Sequence, residues 1–310
     1  CLNNYRPISL LSIFNKLLEK VMYNRLIKFL DCNRVFFDKQ FGFRAKHSTD
    51  HAILNIVDRI QKAVDEQDFS CGIFLDFRKA FDTVNHKILI NKLEYYGVRG
   101  VAKRWFMSYL SNRKQTTIVN NVSSNQLNIT CGVPQGSVLG PLLFLIYIND
   151  FHFCSDLFEF HLFADDANLF YRNKDLNTLE SNVNSEISNV HTWLCANKLS
   201  LNIDKTSFTL FHSPQKKIRQ NFHLAINNEA VKQSHCIKYL GIYIDSNLSW
   251  KPQIEYVVKK IKRSIGLISK LRYYVNLGIL NDLYYTLIYP FLMYGLIAWG
   301  NTYQTTIQPL

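Results

Sequence analysis

Phe163-Ala164-Asp165-Asp166 is the stretch on which the reading of this chain turns. Apolar residues from Leu157 to Ala164 lead into the two acids and a second run, Ala167 to Tyr171, leads away, a pattern of strand, tight turn and strand with the carboxylates at the tip. Carboxylates held side by side repel, and both stay ionised only where cations neutralise them. Taken alone, such a pair is more often an Asp-rich turn on a solvated hairpin. A third acid far upstream shifts the balance. Asp76 ends another apolar run, Cys71 to Leu75, and precedes Phe77-Arg78-Lys79-Ala80-Phe81, where the pattern turns helical. Packing gives no reason for an acid at the end of a buried strand. Brought beside the hairpin, the three carboxylates would hold two magnesium ions, the apparatus for in-line phosphoryl transfer.

Composition sets the outer limits. A chain of 310 residues with 47% hydrophobic content buries a large core and has the length for two lobes, which excludes a disordered chain. Lysine and arginine number 36 against 24 acids, a formal charge of +12. A basic body around an acidic centre suits a polyanionic substrate, although charge alone fits an ordinary basic protein as well. The seven cysteines include no close pair, so neither a zinc framework nor a disulfide scaffold is indicated, and a reducing intracellular compartment, nucleus or cytoplasm, is expected. His47 and His51 lie four apart without further ligands nearby, which favours a structural or surface role. The chain starts at Cys1 without a signal peptide and runs straight into its first motif, as a piece of a longer protein would. Leu283 to Gly300 carries no charge and reaches the length of about 18 residues of a spanning segment. Tyrosines, Thr286, Pro290 and Gly295 interrupt it, so a buried helical hairpin is expected and no membrane span.

In chain order, Pro7 keeps the opening segment extended, and Ile13, Phe14, Leu17, Leu18, Val21, Met22 and Leu26 then recur at helical spacing. The basic loop Gln40 to Thr49 offers Ser48 and Thr49 as caps for a helix carrying Ile53, Ile56, Val57 and Ile60. Arg44 and Lys46 in that loop are placed to meet phosphate, or are simply solvated. Asn85 caps a helix that Gly97 stops, Val101 to Leu110 is a second helix, and Gln115 to Cys131 reads as a β-hairpin. It delivers the chain to Gly132-Val133-Pro134-Gln135-Gly136-Ser137, a loop that lets backbone and Gln135 approach a ligand closely. Leu176 to Leu194 is a strongly amphipathic helix, Lys205 stands at the entrance of the strand Ser207 to Phe211, and 213–220 is the expected linker. Short strands follow around 222–231 and 236–244. From Pro252 a helix collects Lys259, Lys260, Lys262 and Arg263 opposite an apolar face, a solvated surface or one that tracks a nucleic-acid backbone.

The ordered series Tyr5-Arg6-Pro7-Ile8-Ser9-Leu10, Gln40-Phe41-Gly42-Phe43-Arg44, Phe74 to Asp82, Gly132 to Ser137, Phe163 to Asp166, Asn197 to Lys205 and Lys238-Tyr239-Leu240-Gly241 resembles the motif set of reverse transcriptases. It is most similar to those of non-LTR, LINE-type retrotransposons, jockey-like elements in particular, and covers nearly the whole chain. The resemblance implies an α+β right-hand polymerase: fingers over 1–67, a ferredoxin-like palm of antiparallel sheet and helices over 68–245 with finger-like insertions near 97–130, and a helical thumb or connection over 246–310. It implies RNA-directed DNA polymerase activity on an RNA template, with a DNA primer or target DNA and deoxynucleoside triphosphates, and an upstream endonuclease as covalent neighbour.

Carried over residue by residue, the resemblance makes Asp76, Asp165 and Asp166 ligands of two Mg2+ ions, with Mn2+ as a substitute, and Lys205 the general acid for pyrophosphate. Phe81 matches the position under the incoming sugar, where a bulky ring selects against a 2′ hydroxyl. Phe77, Ala80, Gln135, Gly136 and Arg44 belong with the nucleotide. Tyr239-Leu240-Gly241 resembles the primer grip, and Arg6, Lys46, Lys259, Lys260, Lys262 and Arg263 are expected on the nucleic-acid backbone. A decayed copy that binds nucleic acid without turnover is the alternative. An RNA-dependent RNA polymerase is a weaker one, against which Phe81 argues.

Overall fold

Every residue of the strand Phe69–Leu75 is buried, and the rest of the fold is laid around it. The computed structural model describes residues 8–216, 218 and 221–309; Tyr5, Arg6 and Pro7 of the first motif, and Lys217, Arg219 and Gln220 of the expected linker, lie outside them. Helices α1 (Ile13–Cys32) and α2 (Thr49–Asp65) precede that strand, β1, and the short α3 (Ala80–Thr83), α4 (His86–Tyr95) and α5 (Gly100–Leu110) follow. A small exposed arm comes next, in which β2 (Lys114–Gln115) pairs with β5 (Leu127–Asn128) and β3 (Ile118–Val119) with β4 (Val122–Ser123). Then come α6 (Gly140–Ile148), β6 (Glu159–Phe163), β7 (Asp166–Asn173), α7 (Leu176–Ala196) and β8 (Ser207–Phe211). The short β9 (Ala225–Ile226), β10 (Glu229–Ala230) and β11 (Lys232–Gln233) lead to a hairpin of β12 (Cys236–Tyr239) and β13 (Ile242–Asp245). Helices α8 (Lys251–Leu271) and α9 (Leu277–Leu287), with shorter turns after them, close the chain.

The main sheet has the order β11-β8-β1-β7-β6, so β1 is its centre and is antiparallel to both neighbours. Side chains alternate across a strand, and β1 serves two cores. Cys71, Ile73 and Leu75 join the larger one, with α4, α6 and α7; Phe74 joins Phe170 and Phe211 in a second core under α2 and the β12-β13 hairpin. Gly72 is what lets that second face close. A Cβ there would lie 2.7 Å from the Phe170 ring and 2.9 Å from that of Phe211.

Local expectations hold for the caps Ser48, which accepts from the His51 amide, and Asn85, which accepts from Ile88; Asp175, accepting from Thr178, caps α7 in the same way. Helix α1 forms where its apolar spacing predicts, but most of that stripe does not face the core. Ile13, Phe14, Leu17, Leu18 and Val21 are exposed, and Leu26, Leu30 and Glu19 are buried instead. Glu19 reaches inward because it accepts from the Tyr109 hydroxyl (2.8 Å) and the Val138 amide (2.7 Å). The uncharged tail breaks into α9 and short turns around Pro290 and Gly295, and among the described residues no helix is long and apolar enough to cross a membrane.

One buried group makes the fold sensitive to acid. His161 on β6 is fully buried, its ring nitrogens have no hydrogen-bond partner, and the cations of Lys39 and Arg59, both paired with Glu159, stand nearby. Burial first, and those two charges second, push its pKa from 6.5 down to about 3. The folded chain therefore keeps His161 neutral while the unfolded chain protonates it below 6.5, and stability present above 6.5 drains away toward 3. Equilibrium unfolding should lose up to about 1.4 kcal/mol per pH unit from this residue in that window. In His161→Phe that part of the slope should vanish; an unchanged slope would show that the imidazole titrates normally.

Candidate active site

The register of two strands brings the distant acids together. Leu75 pairs with Ala167, so the chain leaving β1 sets Asp76 opposite Asp166, the first residue of β7. Directly opposed residues in antiparallel strands have Cα atoms about 4.5–5.5 Å apart. Phe163 pairs with Asp166, which leaves Ala164 and Asp165 as a two-residue turn, as the tip of the predicted hairpin requires. Asp76 is half-buried, Asp165 likewise, and Asp166 is exposed.

A second loop is stitched onto the end of β1. The Asp76 amide donates to Thr206 Oγ1 (3.3 Å), the Asn202 amide to the Asp76 carbonyl (2.8 Å) and the Arg78 amide to the Ser200 carbonyl (2.8 Å). Those bonds carry Asp204 and Lys205 to the same place. The result is a cleft of 380 Å³ lined by Asp76, Asp166, Asp204 and Lys205 together with Lys232, Lys238, Tyr239 and Leu240. Asp204, Lys232 and Lys238 had no assigned role from sequence; Asp204 adjoins Lys205, and that adjacency is the one signal pointing to it.

Among the described residues no group of three His, Cys, Asp or Glu side chains is gathered to hold a metal. The three-acid cluster expected from sequence is thus not a ready-made cage, because Asp166 lies on the strand and Asp165 in the turn. Magnesium needs no such cage, since it usually takes one or two carboxylates together with waters and substrate phosphates. Asp76 and Asp166 in one cleft fit that donor set.

The remaining predicted residues divide. Phe81 is half-buried, resting on Phe144 (centroids 4.6 Å apart) with Phe43 edge-on at 6.5 Å. Its backbone is tied to the glycine-rich loop by a bond from Val133 (2.8 Å), and Gln135 Nε2 donates to Asp82 Oδ1 (2.9 Å). Gly136 is exposed beside that pair. Phe77 and Ala80 are core residues, Phe77 packing on Phe151, so any part they have with a nucleotide falls to their backbone. Arg44 spends its guanidinium on the Phe37 carbonyl (3.0 Å) and the Phe36 ring, fixing its own loop. Lys46, Lys259, Lys262 and Arg263 are exposed, Lys260 lies near the Tyr256 ring, and Arg6 lies outside the described residues.

Leu240 and Gly241, both at positive φ, form the two-residue turn of the β12-β13 hairpin, and the Leu240 carbonyl accepts from the Tyr294 hydroxyl (2.5 Å). Tyr239 is buried against Phe74, its hydroxyl unpaired beside Asp166 and Asn168; burial, then the charge of Asp166, drives its pKa far up.

Strands, helices and an acid-bearing hairpin in this arrangement have the right-hand polymerase fold. A telomerase structure from Candida tropicalis, solved with a TWJ fragment of telomeric RNA, shares it with a TM-score of 0.50 at 11% identity, over 91% of this chain and 46% of that one. The family follows from sequence: residues 2–244 match the model described as reverse transcriptase (RNA-dependent DNA polymerase), and the chain belongs to that family. Its relatives include the probable RNA-directed DNA polymerase from transposon BS of Drosophila melanogaster, 31% identical over 96% of this chain and 34% of the relative. The RNA-directed DNA polymerase from mobile element jockey of the same fly is 27% identical over 96% and 33%. The chain spans about a third of the length of these non-LTR relatives.

An unpaired buried hydroxyl costs about 1–3 kcal/mol, so Tyr239→Phe should leave stability unchanged or raise it. Urea unfolding reads the difference, and a loss above about 2 kcal/mol would mean that the hydroxyl is bonded after all.

Proposed function

We propose that the chain is the polymerase portion of a non-LTR retrotransposon protein and extends a primer 3′ hydroxyl with deoxynucleotides on an RNA template. The observation that carries this reading is the β1-β7 register, which sets Asp76 opposite Asp166 in a cleft shared with Lys205. Asp76 and Asp166, with Asp165 at the tip, would hold two Mg2+ ions, or Mn2+ in their stead. Bound there, the ions would acidify the primer hydroxyl and neutralise the triphosphate and the departing pyrophosphate.

The chain's own groups do the rest. Lys205 holds a proton at the cleft wall for the pyrophosphate oxygen, and Lys232 and Lys238 add positive charge where triphosphate or primer phosphate enters. Phe81, braced from behind by Phe144, stands where its ring excludes a ribose 2′ hydroxyl. The turn at Leu240 and Gly241 supports the primer end, and the basic residues of α8 follow the duplex backbone. In this reading residues 1–67 are fingers, 68–245 palm and 246–310 thumb. The partners are RNA template, DNA primer or target DNA, and an endonuclease elsewhere in the longer protein, acting in nucleus or cytoplasm.

Primer extension on an RNA template with magnesium tests the assignment. Asp76→Asn and Asp165→Asn should each lower the rate by about 10²–10³-fold or more, the scale on which one preorganised charge-stabilising group matters. Phe81→Val should raise ribonucleotide incorporation relative to deoxynucleotide. Extension by Asp76→Asn at the parent rate would remove the metal assignment, and template binding without any extension by the parent would favour the non-catalytic alternative.

A further inference from the structure

The turn that carries Asp165 is strained and held from outside. A two-residue hairpin whose first loop residue has positive φ calls for glycine there, yet the residue is Ala164, at φ 56° and 4% exposed. Such a conformation persists only where its surroundings over-determine it. The surroundings are the loop between α1 and α2. The Phe41 amide donates to the Leu162 carbonyl (2.8 Å) and the Leu162 amide to the Lys39 carbonyl (2.9 Å), so this loop runs along the outer edge of β6. Gln40, 2% exposed, then closes the contact: its Oε1 accepts from both the Ala164 amide (3.0 Å) and the Gly42 amide (2.9 Å). Gly42 allows the approach, since a Cβ there would lie 2.4 Å from the Ala164 nitrogen and 2.9 Å from the Phe163 carbonyl carbon.

The loop is itself anchored, by Lys39 on Glu159 (3.0 Å) and by Arg44 on the Phe37 carbonyl. One amide oxygen therefore ties a fixed loop to the tip of the acid hairpin through two backbone donors, using both of its lone pairs. The Gln40 nitrogen has no partner, so whatever this side chain does rests on its oxygen.

We propose that Gln40 is a positioning residue for the catalytic acids, its side-chain oxygen holding the Ala164-Asp165 turn against Gly42 and so setting where Asp165 and Asp166 stand relative to Asp76. The inference rests on the polymerase reading for its consequence, though not for its geometry. A catalytic group misplaced by about 1 Å loses about 10²-fold in rate. Gln40 touches neither metal nor substrate and acts only through the turn.

The test compares Gln40→Met, which keeps the length and loses the acceptor, with Gln40→Glu, which keeps an acceptor oxygen, and with Gly42→Ala, which pushes on the turn with Gln40 intact. Each is measured for primer extension, for primer-template binding without metal, and for Mn2+ affinity of the free chain by electron paramagnetic resonance. Gln40→Met and Gly42→Ala should bind primer-template as the parent does. Their turnover should fall about 10²-fold and their Mn2+ binding weaken severalfold, while Gln40→Glu recovers most of both. Parent-like turnover and Mn2+ affinity in Gln40→Met, or equal damage in Gln40→Glu, would overturn the proposal, the latter making Gln40 a packing residue only. If the parent itself extends no primer, the polymerase reading falls and Mn2+ affinity across the three variants decides the proposal alone.

Discussion

Everything in the cleft depends on one register, that of β1 against β7. The side-chain period of a strand is two, so a slip of one residue would turn Asp76 and Asp166 away from each other and move Phe74 out of its core. What forbids the slip is burial on both faces. Ile73 and Leu75 are committed to the core under α4, α6 and α7, and Phe74 to the cluster of Phe170 and Phe211. Neither set can change sides without overfilling one core and leaving voids in the other. The sheet thus uses hydrophobic packing, which is non-directional, to set the placement of carboxylates, which is highly directional.

The electrostatics run the other way from the packing. Three acids, Asp76, Asp166 and Asp204, and three lysines, Lys205, Lys232 and Lys238, line one cleft of 380 Å³. Asp76 is half-buried and Asp166 exposed, so the cleft is open to a charged ligand. A nucleoside triphosphate with its cations presents both signs at once, and a cleft lined by both signs suits it better than one of a single sign.

Much of this was legible in the sequence, and the limits of legibility have physical causes. Periodicity and caps located the helices, and of the acids singled out at the ends of apolar runs Asp76 and Asp166 line the cleft, with Asp165 in the turn beside it. Residues whose role depends on a partner far along the chain were not legible. Gln40 stood in a recognised motif with no assigned task, because its partner amide is 124 positions away. Thr206 and Asn202, which hold the Asp76 backbone, look like ordinary polar loop residues until the strand ends meet. Apolar spacing on α1 misled because spacing reports that a stripe exists and is silent on what covers it.

The terminal helices are coupled to the cleft through few contacts, and this bears on how the two halves work together. Tyr294 donates to the Leu240 carbonyl in the β12-β13 turn, Trp299 is buried in the core of Phe74 and Tyr239 and bonds the Tyr294 carbonyl, and Gln253 at the start of α8 accepts from the Tyr243 amide. Along α8, Ile254 joins the same core and Val257 and Ile261 pack with Ile288, while Ile265 and Leu267 farther along and Leu277 of α9 are exposed. The hairpin that lines the cleft is thus packed on one side against the sheet, through Phe74 and Tyr239, and on the other against the terminal helices, through Leu240, Tyr243 and Trp299.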